Sequence, residues 1–550
     1  MTGPSISPRT ALFTIAAIIV FAVGAACSDD DSQATPSPTS DSPTAGDGGE
    51  ATSTPKDFIS EDVIDLAAGG ARFIARASGP DELVSGGANV ALGDFNDDGS
   101  TDLLLGAPQA DGPDDASEDA GEAYVIFGPL DGEIDLARDQ PDITIYGASD
   151  GDNLGFSVMA GDLNDDGVDD IFVGAPGVSA GFDLRTDQGR VYVFYGSDDL
   201  EDTSEIDLAE DVFDLTVTGA EGFSRVGTAM ALGDVNGDDK TDLIVASPFA
   251  GREPGSPPGS ERLTIGEVYV IFGQDDDLDG ERNIAALDYD VLIAGEEERG
   301  QFGAAIAVAD FNDDGTDDIL VGAFRSDPTG EREAGGSAYL FFGRDDLETG
   351  ISIENGSYDA LFLGASSSDA LGLPLTTGDL NGDSIADIVM GAQLEGADDL
   401  FTAGSIRVFF GPAFADITDL AETQADLTIP GSGSGLLIPS SLATSDLDDD
   451  GDDELIFASI LSGILEGRSS AGLVHILDGE STLSGTTTID GPEFATPILG
   501  PVPDGFLGTA LVTGSLADGT PVLAIVAPNA QVDGDSEQTG AVYVVTVNLQ

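Results

Sequence analysis

Tryptophan is absent from this chain, histidine and cysteine occur once each, and Lys and Arg together number only 18. Each scarcity closes off a class of function. A single cysteine allows no intrachain disulfide, so stability must come from a packed core or from metal. A single histidine, His475, leaves Ser-His-Asp and Cys-His catalysis and the usual histidine zinc sites without material. The missing tryptophan argues against a platform on which sugars stack. The few cationic residues face 104 acidic ones, for a formal net charge of -86, which argues against nucleic acid as a partner because phosphate binding depends on clustered Lys and Arg. Cations are the natural counterpart.

What is present is enough to fold: 550 residues at 41% hydrophobic content can bury a large core. The first 27 residues stand apart. Arg9 precedes the apolar run "ALFTIAAIIVFAV", and "VGAAC" ends at Cys27, which reads as an export signal. The ending resembles the lipobox of bacterial lipoproteins, implying acylation of Cys27 and a lipid anchor in an envelope membrane. Residues 28–56 are rich in Ser, Thr, Pro, Asp and Gly with no large apolar side chain, the composition of a disordered tether. The body from 57 to 550 is then expected outside the cytoplasm, at the cell envelope or surface.

Beyond residue 57 the chain repeats itself with a period of about 70 residues. "DFNDDGSTDL" at 94 returns as "DLNDDGVDDI" at 162, "DVNGDDKTDL" at 234, "DFNDDGTDDI" at 310, "DLNGDSIADI" at 379 and "DLDDDGDDEL" at 446, with a decayed copy, "SLADGTPVL", at 515. Each copy is preceded by a small-residue apolar stretch and followed by an apolar run ending in "GAP" or a relative. A further strand signal comes next, such as "GEAYVIFG" at 121 or "GEVYVIFG" at 266, and then a fourth, such as "ITIYG" at 143. Runs this short, rich in Val, Ile, Phe and Tyr and bounded by Gly and Asp, are strands. Seven units of four antiparallel strands, none able to bury both faces alone, predict an all-β, seven-bladed β-propeller. The seventh copy has only three strands before Gln550, and "ARFIARAS" at 71–78 is expected to complete it.

The acidic loop has a chemical reading. Side chains at positions 1, 3, 5 and 9 and the carbonyl of position 7 converge when such a turn wraps round a point, giving the hard oxygen ligands preferred by Ca²⁺. In the first copy these are Asp94, Asn96, Asp98, Ser100 and Asp102; in the second, Asp162, Asn164, Asp166, Val168 and Asp170. The third supplies Asp234, Asn236, Asp238, Lys240 and Asp242, and the fourth Asp310, Asn312, Asp314, Thr316 and Asp318. The fifth supplies Asp379, Asn381, Asp383, Ile385 and Asp387. The sixth, Asp446, Asp448, Asp450, Asp452 and Glu454, lacks the Asn and lengthens the last ligand, making it an additional candidate. Five Ca²⁺ sites, or six, are expected. An EF-hand is excluded because position 12 is apolar and lies inside a strand, as at Leu105 or Val173.

"FG" at 302–303, the loop "DxNxDGxxDL" and the following "GAP" together resemble the FG-GAP repeat of integrin alpha subunits over residues 57–550. The resemblance implies a propeller of four-stranded blades with Ca²⁺ in the loops between first and second strands. It also implies a role in extracellular adhesion or recognition, with partners engaged on the opposite face. In a four-stranded meander that face carries the loops between strands two and three, where Arg252, Arg262, Arg325 and Arg332 fall, and these are the ligand-face candidates. The function expected is a calcium-stabilised, surface-anchored binding module for an extracellular protein or glycan, and not an enzyme. The alternatives are a polysaccharide-active enzyme using a carboxylate pair and a structural envelope protein.

Overall fold

In the computed structural model, residues 64–550 are described except 78–88, 114–116, 179–186, 252–263, 397–401, 463–467, 531–538, several stretches of one to four residues, and the last three. The export signal, Cys27 and the tether lie outside the described residues, as do Arg252 and Arg262.

The second strand of every repeat is the most apolar segment, and it is buried along its length because sheets cover both its faces. Asp102–Ala107, Asp170–Ala175, Asp242–Ser247, Asp318–Ala323, Asp387–Ala392 and Glu454–Ser459 are buried at all six positions. Each pairs antiparallel with an inner strand on one side and a third strand on the other. In the first sheet these are Val90–Gly93 and Glu122–Ile126, with Ile143–Tyr146 as the fourth strand. The inner strands touch one another in a closed cycle of seven, and seven apolar clusters fill the gaps, each drawing on two adjacent sheets. The architecture is the expected seven-bladed β-propeller. Helical turns are short 3-10 segments, and no helix among the described residues is long and apolar enough to cross a membrane.

The motif's glycines sit where two blades meet. A Cβ on Gly106 would lie 1.9 Å from the carbonyl oxygen of Gly155, which opens the next blade. Backbone packs on backbone there, and no larger residue fits.

Ring closure follows the expectation and extends it. Phe73–Arg76 pairs antiparallel with Ala541–Thr546 and supplies the fourth strand of the last blade. The blades, however, have five strands rather than four. Between its third and fourth strands each repeat sends a short segment to the outer edge of the preceding blade, where it pairs in parallel. Glu205–Asp207 of the second repeat lies beside Ile143–Tyr146 of the first, and Ile417–Asp419 of the fifth beside Ala360–Leu363 of the fourth. At the seam, Ile64–Asp65 covers Ile498–Leu499 of the sixth blade, and Gly132–Asp135 of the first repeat covers Phe73–Arg76 in the seventh.

A ring of acidic loops as the candidate functional site

Each acidic loop leaves an inner strand and enters a second strand, and its own carboxylates shape the turn. The position 1 aspartate accepts the N–H groups of positions 5 and 6: Asp94 takes those of Asp98 at 3.2 Å and Gly99 at 2.9 Å. Asp162, Asp234, Asp310, Asp379 and Asp446 do the same in their loops. The position 5 aspartate accepts the N–H of position 7, as Asp98 does from Ser100, and so orients Val168, Lys240, Thr316, Ile385 and Asp452 alike. Such side-chain to backbone bonds are why Asp is favoured in tight turns.

Position 9 does more than the sequence indicates. Asp102 is fully buried, with one oxygen on the N–H of Phe95 at 2.9 Å and the other on that of Gly128, just after the third strand, at 2.7 Å. Asp170, Asp242, Asp318 and Asp387 repeat this with Leu163 and Gly196, Val235 and Gly273, Phe311 and Gly343, and Leu380 and Gly411. In the sixth loop Glu454 accepts from Leu447 at 2.6 Å. The five aspartates bolt three strands together before any metal is considered. Burial is the main force on their acidity, pushing the five aspartates up to about 7 and Glu454 to about 8.

Position 3 completes the turn. The amides of Asn236, Asn312 and Asn381 reach the position 9 carboxylate at 3.2 to 3.4 Å. Asn96 is buried against Glu201, and Asn164 bonds to Asp166. Among the described residues, the buried Oδ1 atoms of Asn164 and Asn312 have no hydrogen-bond partner. The sixth loop, which departs most from the motif, brings together oxygens of Asp446, Asp448 and Glu454 within 4.8 Å of one another. An all-oxygen donor set with orphaned buried acceptors fits a hard divalent cation, since a carboxylate that accepts two N–H bonds keeps lone pairs for a metal.

The opposite face looks different from its sequence reading. Arg332 is not an open cation: its guanidinium grips both oxygens of Asp419 at 2.6 and 2.8 Å and the carbonyl of Gly364 at 2.8 Å, tying the fourth blade to its borrowed edge strand. Arg468 makes the same arrangement with Asp65 and Gly500 at the seam. The sequence reading missed these clamps. Their signal was there, since "IDLA" recurs at 64, 134 and 206 on the edge strands, where the Asp caps the next turn. Arg325 is partly buried, and that burial, with Arg299 nearby, lowers its pKa. His475 is an interior blade residue, stacked on Phe457 at 4.9 Å and 3.2 Å from the Ser459 hydroxyl, and burial lowers its pKa to about 4.

The FG-GAP repeat model matches residues 86–126, 154–194, 226–271, 302–341 and 375–409, the first three strands of blades one to five. Among related proteins, phosphatidylinositol-glycan-specific phospholipase D of Homo sapiens is 28% identical over 453 residues, covering 76% of this chain and 50% of that protein. Its counterpart from Rattus norvegicus is 26% identical, covering 74% and 47%. Integrin alpha-5 of Xenopus laevis is 30% identical over 255 residues, covering 44% of this chain and 20% of that one. The chain therefore spans about half the length of the phospholipases it matches. Their name corrects one expectation: scarcity of histidine and cysteine pointed away from an enzyme, yet relatives similar over three quarters of the chain are enzymes. Residue scarcity in the propeller could not reveal that association. The chain carries five FG-GAP repeats within a seven-bladed propeller and is similar to integrin alpha subunits over part of its length.

Proposed function

We propose that the protein is a calcium-stabilised binding module of the cell exterior, held at the envelope through Cys27, that recognises an extracellular protein or glycan on the face away from its acidic loops. The observation that carries the calcium reading is the sixth loop, where oxygens of three carboxylates, one of them the fully buried Glu454, converge within 4.8 Å of one another. Asp94, Asn96, Asp98 and Asp102 and their equivalents would hold Ca²⁺ together with the position 7 carbonyl. The ion would supply the positive charge that lets these carboxylates share one turn. The ligand face narrows to Arg325 with Arg252 and Arg262, because Arg332 is committed to Asp419. A pair of guanidiniums such as Arg325 and Arg299 suits an anionic group on the partner.

Melting with and without chelator tests the calcium reading, and an unchanged melting temperature would end it. Binding to a panel of extracellular-matrix proteins and acidic glycans, with Arg325→Ser as the discriminating variant, tests the ligand face. A second reading rests on the relatives' name: the propeller serves an enzyme acting on phosphatidylinositol-glycans. Release of a glycan-anchored reporter from vesicles by the Ca²⁺-loaded protein would support it, and no release would leave the binding reading alone.

A further inference from the structure

The acidic loops are not evenly joined around the ring. Position 8 is Asp169, Asp317 and Asp453 in the second, fourth and sixth loops, but Thr101, Thr241 and Ala386 in the first, third and fifth. Each of the three aspartates exchanges two hydrogen bonds with position 1 of the preceding loop. Asp169 Oδ2 accepts the N–H of Asp94 at 2.9 Å, and the Asp169 N–H donates to the Asp94 carbonyl at 3.0 Å. Asp317 and Asp234 do this at 3.0 and 2.9 Å, and Asp453 and Asp379 at 2.8 and 2.7 Å.

The preceding inner strands are fitted to receive them. Gly93, Gly233 and Gly378 stand immediately before the odd loops, and a Cβ there would come within 3.0, 2.8 and 2.7 Å of the Oδ2 of Asp169, Asp317 and Asp453. Two junctions carry further bonds, from Ser197 N–H to the Phe95 carbonyl and from Arg344 N–H to the Val235 carbonyl, both at 3.0 Å. The alternate junctions are weaker among the described residues. Between the second and third loops Thr241 reaches the Asp165 side chain, and between the fourth and fifth Ala386 has no polar side chain to offer.

We propose that the loops take up their cations as three coupled pairs, first with second, third with fourth and fifth with sixth, in which filling one loop raises the affinity of the other. The proposal rests on the calcium reading above. Position 1 contributes a ligand to the odd loop, and its main chain is locked to the residue immediately before the position 9 ligand of the even loop. A cation that fixes Asp379 thereby fixes Asp453 and, next to it, Glu454. The second ion then meets a loop whose ordering cost has already been met, which is positive coupling without a change of fold.

Calcium titration of the full chain, followed by calorimetry and by equilibrium dialysis, tests this. The native protein should bind with a Hill coefficient above unity. Replacing Asp169, Asp317 and Asp453 together with Ala should bring the coefficient to unity with the same number of ions, and weaken half-saturation about fivefold or more. The Asp→Asn versions keep an oxygen acceptor for the neighbouring N–H and should remain cooperative; cooperativity lost equally in Asn and Ala variants would point to charge and overturn the pairing. If the triple Ala chain does not fold, Asp317→Ala alone should lower the coefficient while the other pairs persist. Calcium binding without cooperativity in the native protein sinks the pairing and leaves the calcium reading standing, whereas no calcium binding at all sinks both.

Discussion

The guanidinium of Arg468 holds both carboxylate oxygens of Asp65, at 2.7 and 3.0 Å, across 403 positions of sequence. This contact seals the ring at its seam, because Asp65 ends the edge strand that the N-terminal segment lends to the sixth blade. Both side chains are about three-quarters buried. Arg468→Ala should cost about 1 to 3 kcal/mol, the range for a charged hydrogen-bonded partner left unpaired, and should lower the thermal midpoint by a few degrees. Deletion of residues 57–79 removes two strands as well and should abolish the cooperative melt.

The same contact sets a pH dependence. The hydrogen bond from Arg468 holds the Asp65 carboxyl below its ordinary value of 3.8. A depressed carboxylate stabilises the fold above the unfolded pKa and loses that contribution as pH falls through the folded one. Native and Arg468→Ala proteins should therefore differ in midpoint at pH 6 and converge toward pH 2, as read by circular dichroism melts.

Position 9 and position 5 of a loop should respond differently to truncation. Asp102→Ala strands the buried N–H of Phe95, at about 1 to 3 kcal/mol, together with the part-buried N–H of Gly128, and should destabilise even in chelator. Asp98 is exposed, so Asp98→Ala should matter chiefly when calcium is present. Comparing the two variants with and without chelator separates the bolt from the ligand.

Removing calcium should lower the melting temperature in proportion to the sites filled. Ligand linkage gives about 2.7 kcal/mol per independent site at 100 times its dissociation constant, so a sizeable shift on chelation is expected. Scanning calorimetry across a calcium series measures it.

Gly106→Ala should abolish folding. Its Cβ would fall 1.9 Å from the Gly155 carbonyl oxygen, a backbone atom that cannot step aside without prying two blades apart. Recovery of soluble protein with the native melting profile would contradict that junction.

Much of the fold was legible because its signals are local and repeated. The strand runs, the acidic turns and the closing segment "ARFIARAS" each announce themselves within about ten residues. The fifth strands did not. "DDLEDTSEIDLAED" reads as a hydrated acidic linker, yet Glu205–Asp207 within it is an edge strand whose partner, Ile143–Tyr146, belongs to the previous repeat. A parallel strand of two to four residues leaves no periodicity to detect, and only the recurrence of "IDLA" marks it. The site was legible in part for a related reason. Which residues form a loop follows from spacing, but the burial of Asp102, the convergence of Asp446, Asp448 and Glu454, and the reach of Asp169 to Asp94 depend on neighbouring strands and blades.

The borrowed edge strands have a consequence for how such a protein can change. Every line that divides one repeat from the next along the chain is crossed in space by a strand lent backwards, so no repeat can be cut out with its own sheet whole. A duplicated or lost repeat must hand on the loan intact, since the edge strand a repeat lends and the one it receives come from different repeats. The repeat along the chain is therefore offset from the visible blade.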